Sequence, residues 1–150
     1  MWKLAYQGII QGPPVAMGRP RITKTGRAYT PKTSRSYKDE AVKNLRASCG
    51  EDWIPLDGIF KVTISFLHPR TKRLYLKRGE LTAGRIWRPK KPDIDNLLKM
   101  VLDCITQSDI WIDDNRVVSL SCEDMYCGAN EEAHTLFSIY TWSSEDGTEV

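Results

Sequence analysis

The sequence predicts an α+β (mixed α/β) fold, a small mixed sheet with two main helices in a single domain. Two observations carry this. Residues 59–67 alternate apolar and polar side chains, the period of a half-buried strand, whereas 36–48 and 95–106 repeat apolar residues at helical spacing. The order along the chain reads strand, basic arm, helix, strand, basic loop, helix, strand, strand. A length of 150 residues suits one domain spanning 1–150, and a hydrophobic content of 41% supplies a core, which excludes wholesale disorder.

Residues 3–10 (KLAYQGII) read as the first strand, stopped by Gly12, Pro13 and Pro14. The segment 18–35 then holds Arg19, Arg21, Lys24, Arg27, Lys32 and Arg35 and no acid. Gly26 and Pro31 mark turns, so a basic loop or hairpin arm is expected, with cations suited to phosphate and Tyr29 free to pack or stack. A helix follows over 36–48, opened by a capping box from Ser36 to Asp39, with Tyr37, Ala41, Val42 and Leu45 in one apolar stripe and Gly50 as its stop. In the strand 59–67, Phe60, Val62, Ile64 and Phe66 share one face, and Lys61, Thr63 and Ser65 the other.

A second basic stretch, 70–91, sets nine cations against Glu80 and is expected to be a loop or hairpin. Pro92 disfavours helix at Lys91 and permits one just after. From Asp95 to about Thr106 the helical pattern places Leu97, Leu98, Val101, Leu102 and Ile105 on a broad apolar face. Ile110, Trp111 and Ile112 lead into a turn at Asp113–Asp114. A strand over 116–126 follows, with Val118, Leu120 and Cys122 on one face. CGANEEA reads as a hairpin loop into the last strand, 134–142, and 143–150 as a frayed tail.

The net charge of +3 hides an asymmetry: residues 1–50 carry +8, 51–100 carry +5 and 101–150 carry −10. A basic front of this kind suits a polyanionic partner. No apolar run approaches the roughly 18–20 residues that span a bilayer, and MWKLAYQGIIQGPP lacks the apolar core of a secretory signal, so a cytoplasmic protein without a membrane partner is expected. No phosphate-binding glycine loop is present, so no nucleotide cofactor is expected. Cys49, Cys104, Cys122 and Cys127 form no CxxC pair, and with His134 they match no standard zinc spacing; buried, reduced thiols are expected. His68 and His134 stand beside no nucleophile pattern.

The acids that stand out are Asp93, Asp95 and the Asp113–Asp114 pair. The first two straddle the start of a helix, and the short segment after that helix can bring the pair back toward it. Each has a plain structural role open to it, as a helix cap or a turn residue. Together they suggest carboxylates converging on a cation, and oxygen donors without His or Cys favour Mg²⁺, with Mn²⁺ as a substitute. Lys99, one turn beyond Asp95, could reach a phosphate at the same place, or be a solvated partner of Asp95 or Asp103. Hydrolysis of a nucleic-acid backbone accounts for both the basic front and the acidic pocket.

KPDIDNLLKMVLDCI followed by WIDDNRVV resembles the signature of the RusA family of Holliday junction resolvases, and GRPRITKTGRAYTPKTSRSYKDEAV resembles the arm of its Gram-positive and phage branch. The resemblance implies that Asp93, Asp95 and Asp114 are the essential, metal-holding carboxylates and that Lys99 is the catalytic lysine. It places Lys90 and Lys91 where the family has a basic run. It implies a homodimer that nicks opposed strands of four-way junction DNA with Mg²⁺ during recombination and repair, in the cytoplasm of a bacterial cell, with phage, prophage and bacterial origin all open. Arg19, Arg21, Lys24, Arg27, Lys32 and Arg35 are the expected DNA-backbone contacts beside Lys90 and Lys91. Two other outcomes are weighed: a less selective nuclease for flaps and forks, and a DNA-binding accessory protein with a decayed site. The basic insertion at 70–91 is longer than in the shortest members, so its DNA contacts do not carry over.

Overall fold

A computed structural model describes residues 1–18, 21–29, 32–71 and 84–144. Its elements are strands β1 (Trp2–Gln11), β2 (Arg21–Ile22) and β3 (Ala28–Tyr29), helix α1 (Lys32–Cys49), β4 (Phe60–His68), β5 (Ile86–Trp87), helix α2 (Ile94–Gln107), a 3₁₀ turn (Asp114–Arg116), β6 (Val117–Tyr126) and β7 (His134–Trp142). Five strands form one sheet in the order β1-β7-β4-β6-β5; β4 and β6 are parallel and the other pairs antiparallel. The expected α+β class and the two helices are therefore present. One sheet face carries both helices, with Ala41 and Leu45 of α1 and Leu97, Met100, Val101, Cys104 and Ile105 of α2 buried on Phe60, Val62, Ile64, Phe66, Phe137 and Ile139. The other face is more polar; there Lys61 lies over the Tyr140 ring and Gln7 donates to Ser138 Oγ.

Several boundaries differ from the sequence reading. Helix α1 begins at Lys32, so Ser36 lies inside it and is not its cap. Ser34, buried in the first turn, donates to the Ala16 carbonyl and accepts from the Gly18 N–H, tying this end of the helix to the root of the arm. Lys32 and Arg35 are thus helical residues, while the arm proper is the β2–β3 hairpin. Its turn closes with Thr23 N–H to the Arg27 carbonyl and Gly26 N–H to the Thr23 carbonyl, and Gly26 takes φ 83°, a conformation that favours glycine. The segment between β6 and β7 is not a hairpin, because β4 stands between them in the sheet. Ser143 is not frayed: it exchanges two hydrogen bonds with Met1. Of the expected tail, 145–150 lie outside the described residues, as do 72–83 of the basic loop. All four cysteines are free thiols; Cys104 and Cys127 are buried and the other two half-buried.

The return of the chain after α2 is set by one aromatic. Asp109 adopts φ 58°, which reverses the chain just past the helix. Trp111 then drops into the core, stacked on Phe60 at 5.4 Å between ring centroids, with its indole N–H donating to Thr106 Oγ1. Leu56 clamps the same segment through Leu56 N–H to the Ile110 carbonyl and Ile112 N–H to the Leu56 carbonyl. Trp111→Ala is expected to lower the unfolding free energy by about 3–5 kcal/mol in a urea titration, since a large fully buried ring leaves a cavity.

Candidate active site

The start of α2 carries the expected carboxylates, and the helix period explains how they are presented. Burial of Leu97, Met100, Val101, Cys104 and Ile105 forces Asp95, Lys99 and Asp103, spaced four apart, onto the opposite, outward side. Asp93 occupies the N-cap position, yet its side chain makes no capping hydrogen bond. Its backbone carbonyl instead accepts from the N–H groups of Asn96 and Leu97 and opens the helix. The capping role open to Asp93 in the sequence is therefore not one its carboxylate performs.

The alternative partners of Lys99 are accounted for as well. Asp103 is paired with Lys38 of α1, and among the described residues no ion pair involves Lys99, Asp93, Asp95 or Asp114. Asp93, Asp95 and Lys99 are exposed.

The Asp113–Asp114 pair divides its roles. Asp113 caps the 3₁₀ turn, its carboxylate accepting from the Asn115 N–H at 3.4 Å. Asp114 lies in the turn itself, which packs against α2. Its carboxyl is held above the usual range by partial desolvation first, then by the hydrogen bond and charge of Asp113 and the charge of Asp103. Among the described residues, no three His, Cys, Asp or Glu side chains already stand together as a preassembled metal-binding group. Asp114 interacts with Asp113 and Asp103, and carboxylates repel at close range.

The basic arm is rooted beside this helix start. Met17 N–H donates to the Asn96 carbonyl at 3.1 Å, so the hairpin springs from the first turn of α2. Lys24 and Arg27 lie exposed in its turn, and Lys32 and Arg35 are exposed on the first turn of α1. Arg19 lies outside the described residues, and of Arg21 only the backbone, in β2, is described. Lys90 and Lys91 are exposed just before Asp93, and with Arg88, Asp93, Ile94 and Asp124 they line an open concavity of about 480 Å³. Among the described residues none of Lys24, Arg27, Lys32, Arg35, Lys90 and Lys91 takes part in an ion pair.

The sequence reading missed a buried ionic group behind this concavity. His68 at the end of β4, Asp124 in β6 and Arg88 after β5 have side chains only 7%, 10% and 9% exposed. Asp124 Oδ2 lies 3.1 Å from the Arg88 guanidinium, and Asp124 Oδ1 lies 2.7 Å from His68 Nε2, off the line of a well-formed hydrogen bond. In the sequence His68 follows the strand 59–67, Arg88 belongs to the basic stretch 70–91 and Asp124 to the strand 116–126, and nothing local joins the three.

Burial, and then the Arg88 charge, hold the His68 imidazole below its ordinary pKa, against the pull of Asp124. The unfolded chain therefore takes up this proton more readily than the folded protein. The contribution to stability is complete above about pH 6.5 and declines as the pH falls through that value. In urea titrations between about pH 7.5 and 5.5, His68→Gln is expected to flatten the fall in unfolding free energy seen for the parent protein; an unchanged slope would assign it to other groups.

Among the described residues, no helix is long and apolar enough to cross a membrane. No curated protein sequence matches the chain. A protein-family model does, the one described as Endodeoxyribonuclease RusA, over residues 11–133. That match runs from the last residue of β1 to the residue before β7, taking in the arm, both helices and every candidate carboxylate; the chain belongs to the RusA family of endodeoxyribonucleases.

Proposed function

We propose that the protein is a Mg²⁺-dependent endonuclease that resolves Holliday junctions in DNA recombination and repair. The observation that carries this reading is the pairing of unlike features at one helix start. Asp93 and Asp95 are exposed and, among the described residues, without ion-pair partners, and the root of a hairpin with exposed cations is hydrogen-bonded to the same turn. Membership of the endodeoxyribonuclease family supports the chemistry. The donor set suits a hard divalent ion, being carboxylate oxygen with no thiol or imidazole in it. Asp93, Asp95 and Asp114 would hold Mg²⁺, or Mn²⁺ in its place. When bound, such an ion supplies charge neutralisation at the scissile phosphate.

The chain's own residues supply the rest. Lys99 adds positive charge where negative charge builds up in the transition state. Lys24, Arg27, Lys32, Arg35, Lys90 and Lys91 neutralise phosphates of the backbone, as would Arg19 and Arg21. Few base-reading groups accompany them, so the branched shape is the recognised feature. Paired nicks need two sites, which a symmetric pair of chains in the cytoplasm provides.

With a synthetic four-way junction and Mg²⁺, the protein should cleave the junction and spare linear duplex. Flap and fork substrates run alongside would expose a broader branched-DNA activity. Asp95→Asn should reduce cleavage about 100-fold or more with the junction still bound; undiminished cleavage removes Asp95 from the site. Lys99→Ala should lower the single-turnover rate by about 10²–10³ with little change in affinity; equal losses in both would make Lys99 a binding residue. For the arm, Lys24→Ala and Arg27→Ala should each reduce the slope of log binding constant against log salt by about 1.

A further inference from the structure

We infer that Arg88 is a positioning residue for the active site: its buried guanidinium ties the Lys90–Lys91 turn to the sheet and so fixes where Asp93 stands. The inference rests on the nuclease reading above and deepens it. Among the described residues the guanidinium has three partners. One nitrogen lies 3.1 Å from Asp124 Oδ2 and donates at 3.3 Å to the Lys90 carbonyl; another donates at 2.6 Å to the Lys91 carbonyl. The Arg88 backbone N–H donates to the Asp124 carbonyl at 3.0 Å, so main chain and side chain grip the same residue of β6. His68 closes the far side of Asp124 from β4, the strand at the centre of the sheet.

Two arguments favour positioning over a plain structural or DNA-binding role. Arg88 is 9% exposed at its side chain, and both its terminal nitrogens are already engaged by protein oxygens, which sets it apart from the exposed Lys90 and Lys91 as a phosphate contact. A buried ion pair also adds little stability over an apolar pair of the same size. What the planar, multi-donor guanidinium adds is geometry, because it can hold a carboxylate and two carbonyls in fixed directions at once. The carbonyls it holds belong to the two residues before Pro92, and Asp93 follows directly. From there Asp93 accepts the first N–H groups of α2. The path runs from β4 and β6 through Arg88 to the turn, and it ends at the first carboxylate.

Arg88→Lys tests this in the full chain, because it keeps a charge beside Asp124 and loses the fork. The readouts are single-turnover cleavage of a four-way junction with Mg²⁺, junction affinity without divalent ion, and amide hydrogen exchange followed by mass spectrometry. The expected result is cleavage slower by about 10- to 100-fold, affinity changed far less, and exchange about tenfold faster in the segment 88–98 with β4 unaffected. Wild-type cleavage, or slow cleavage with unchanged exchange in that segment, would overturn the inference. So would an equal rise of exchange in β4, which marks general loosening. Should Arg88→Lys not fold, Arg88→Met combined with Asp124→Asn leaves no buried charge uncompensated and is read by the same criteria. If the parent protein cleaves no branched DNA, the nuclease reading fails, while the exchange comparison still decides whether Arg88 holds the turn.

Discussion

The burial of one face of α2 in the core against the sheet is the constraint on which the candidate site depends. The helix repeats every 3.6 residues, so committing Leu97, Met100, Val101, Cys104 and Ile105 to the core leaves Asp95, Lys99 and Asp103 no inward direction. The sheet face is equally committed, with Phe60, Val62, Ile64 and Phe66 all buried along alternate positions of β4. Rotating α2 to hide its charges would expose five core side chains. Hydrophobic burial of roughly 1.5–3 kcal/mol per side chain therefore sets where the charges stand. The electrostatic cost of adjacent carboxylates is met within that frame.

The charges then sort into two populations. Acids that brace the fold have basic partners: Asp103 with Lys38, Asp124 with Arg88, Asp57 with Arg116, Asp109 with Arg46 and Glu131 with Arg85. The Arg85 hydrogen bond and the Gly128 N–H pull the Glu131 carboxyl down to about 2, as expected of an acid in a supporting role. Asp93 and Asp95 take part in none of these pairs, nor do the exposed cations of the arm and of Lys90–Lys91, among the described residues. Opposite charges at the same helix start that do not pair with one another are free to meet other partners. The basic front noted in the composition thus divides into cations used inside the fold and cations left facing solvent.

What the sequence disclosed follows from how local each signal is. The alternation in β4 and the helical stripes of α1 and α2 are properties of adjacent residues, and all appear at nearly the expected places. The neighbours of a strand are not local. CGANEEA looks like a hairpin loop because it joins two strand-like stretches, but β4 pairs with both strands and lies between them. Val118 and Leu120, expected on one face with Cys122, are exposed; a register irregularity in the β4–β6 pairing leaves Val118 without a partner, and Val117 packs on the core in its place. Helix α1 starts at Lys32, ahead of the expected Ser36, for a related reason. Ser34 gains its partners from Ala16 and Gly18, on the other side of the arm, which no capping pattern in the helix itself reveals. Arg88 and Asp124, 36 residues apart, are joined only once β5 pairs with β6.

The Asp113–Asp114 pair shows where chemistry alone stops and three-dimensional placement takes over. Two adjacent identical side chains are equivalent as ligands, so residue type cannot choose between them. Backbone geometry separates them: the extended backbone of Asp113 turns its carboxylate onto the Asn115 N–H. Asp114, one step into the turn, feels the Asp113 carboxylate beside it and the negative charge of Asp103 on α2 as well. The burial of Trp111 against Phe60 brings this turn back onto the sheet, and the same carboxylate would face elsewhere if that ring were not stacked there. The acidic potential on this side of α2 is thus a joint product of the helix period and the aromatic anchor that follows it. Neither would bring Asp103 and Asp114 together alone.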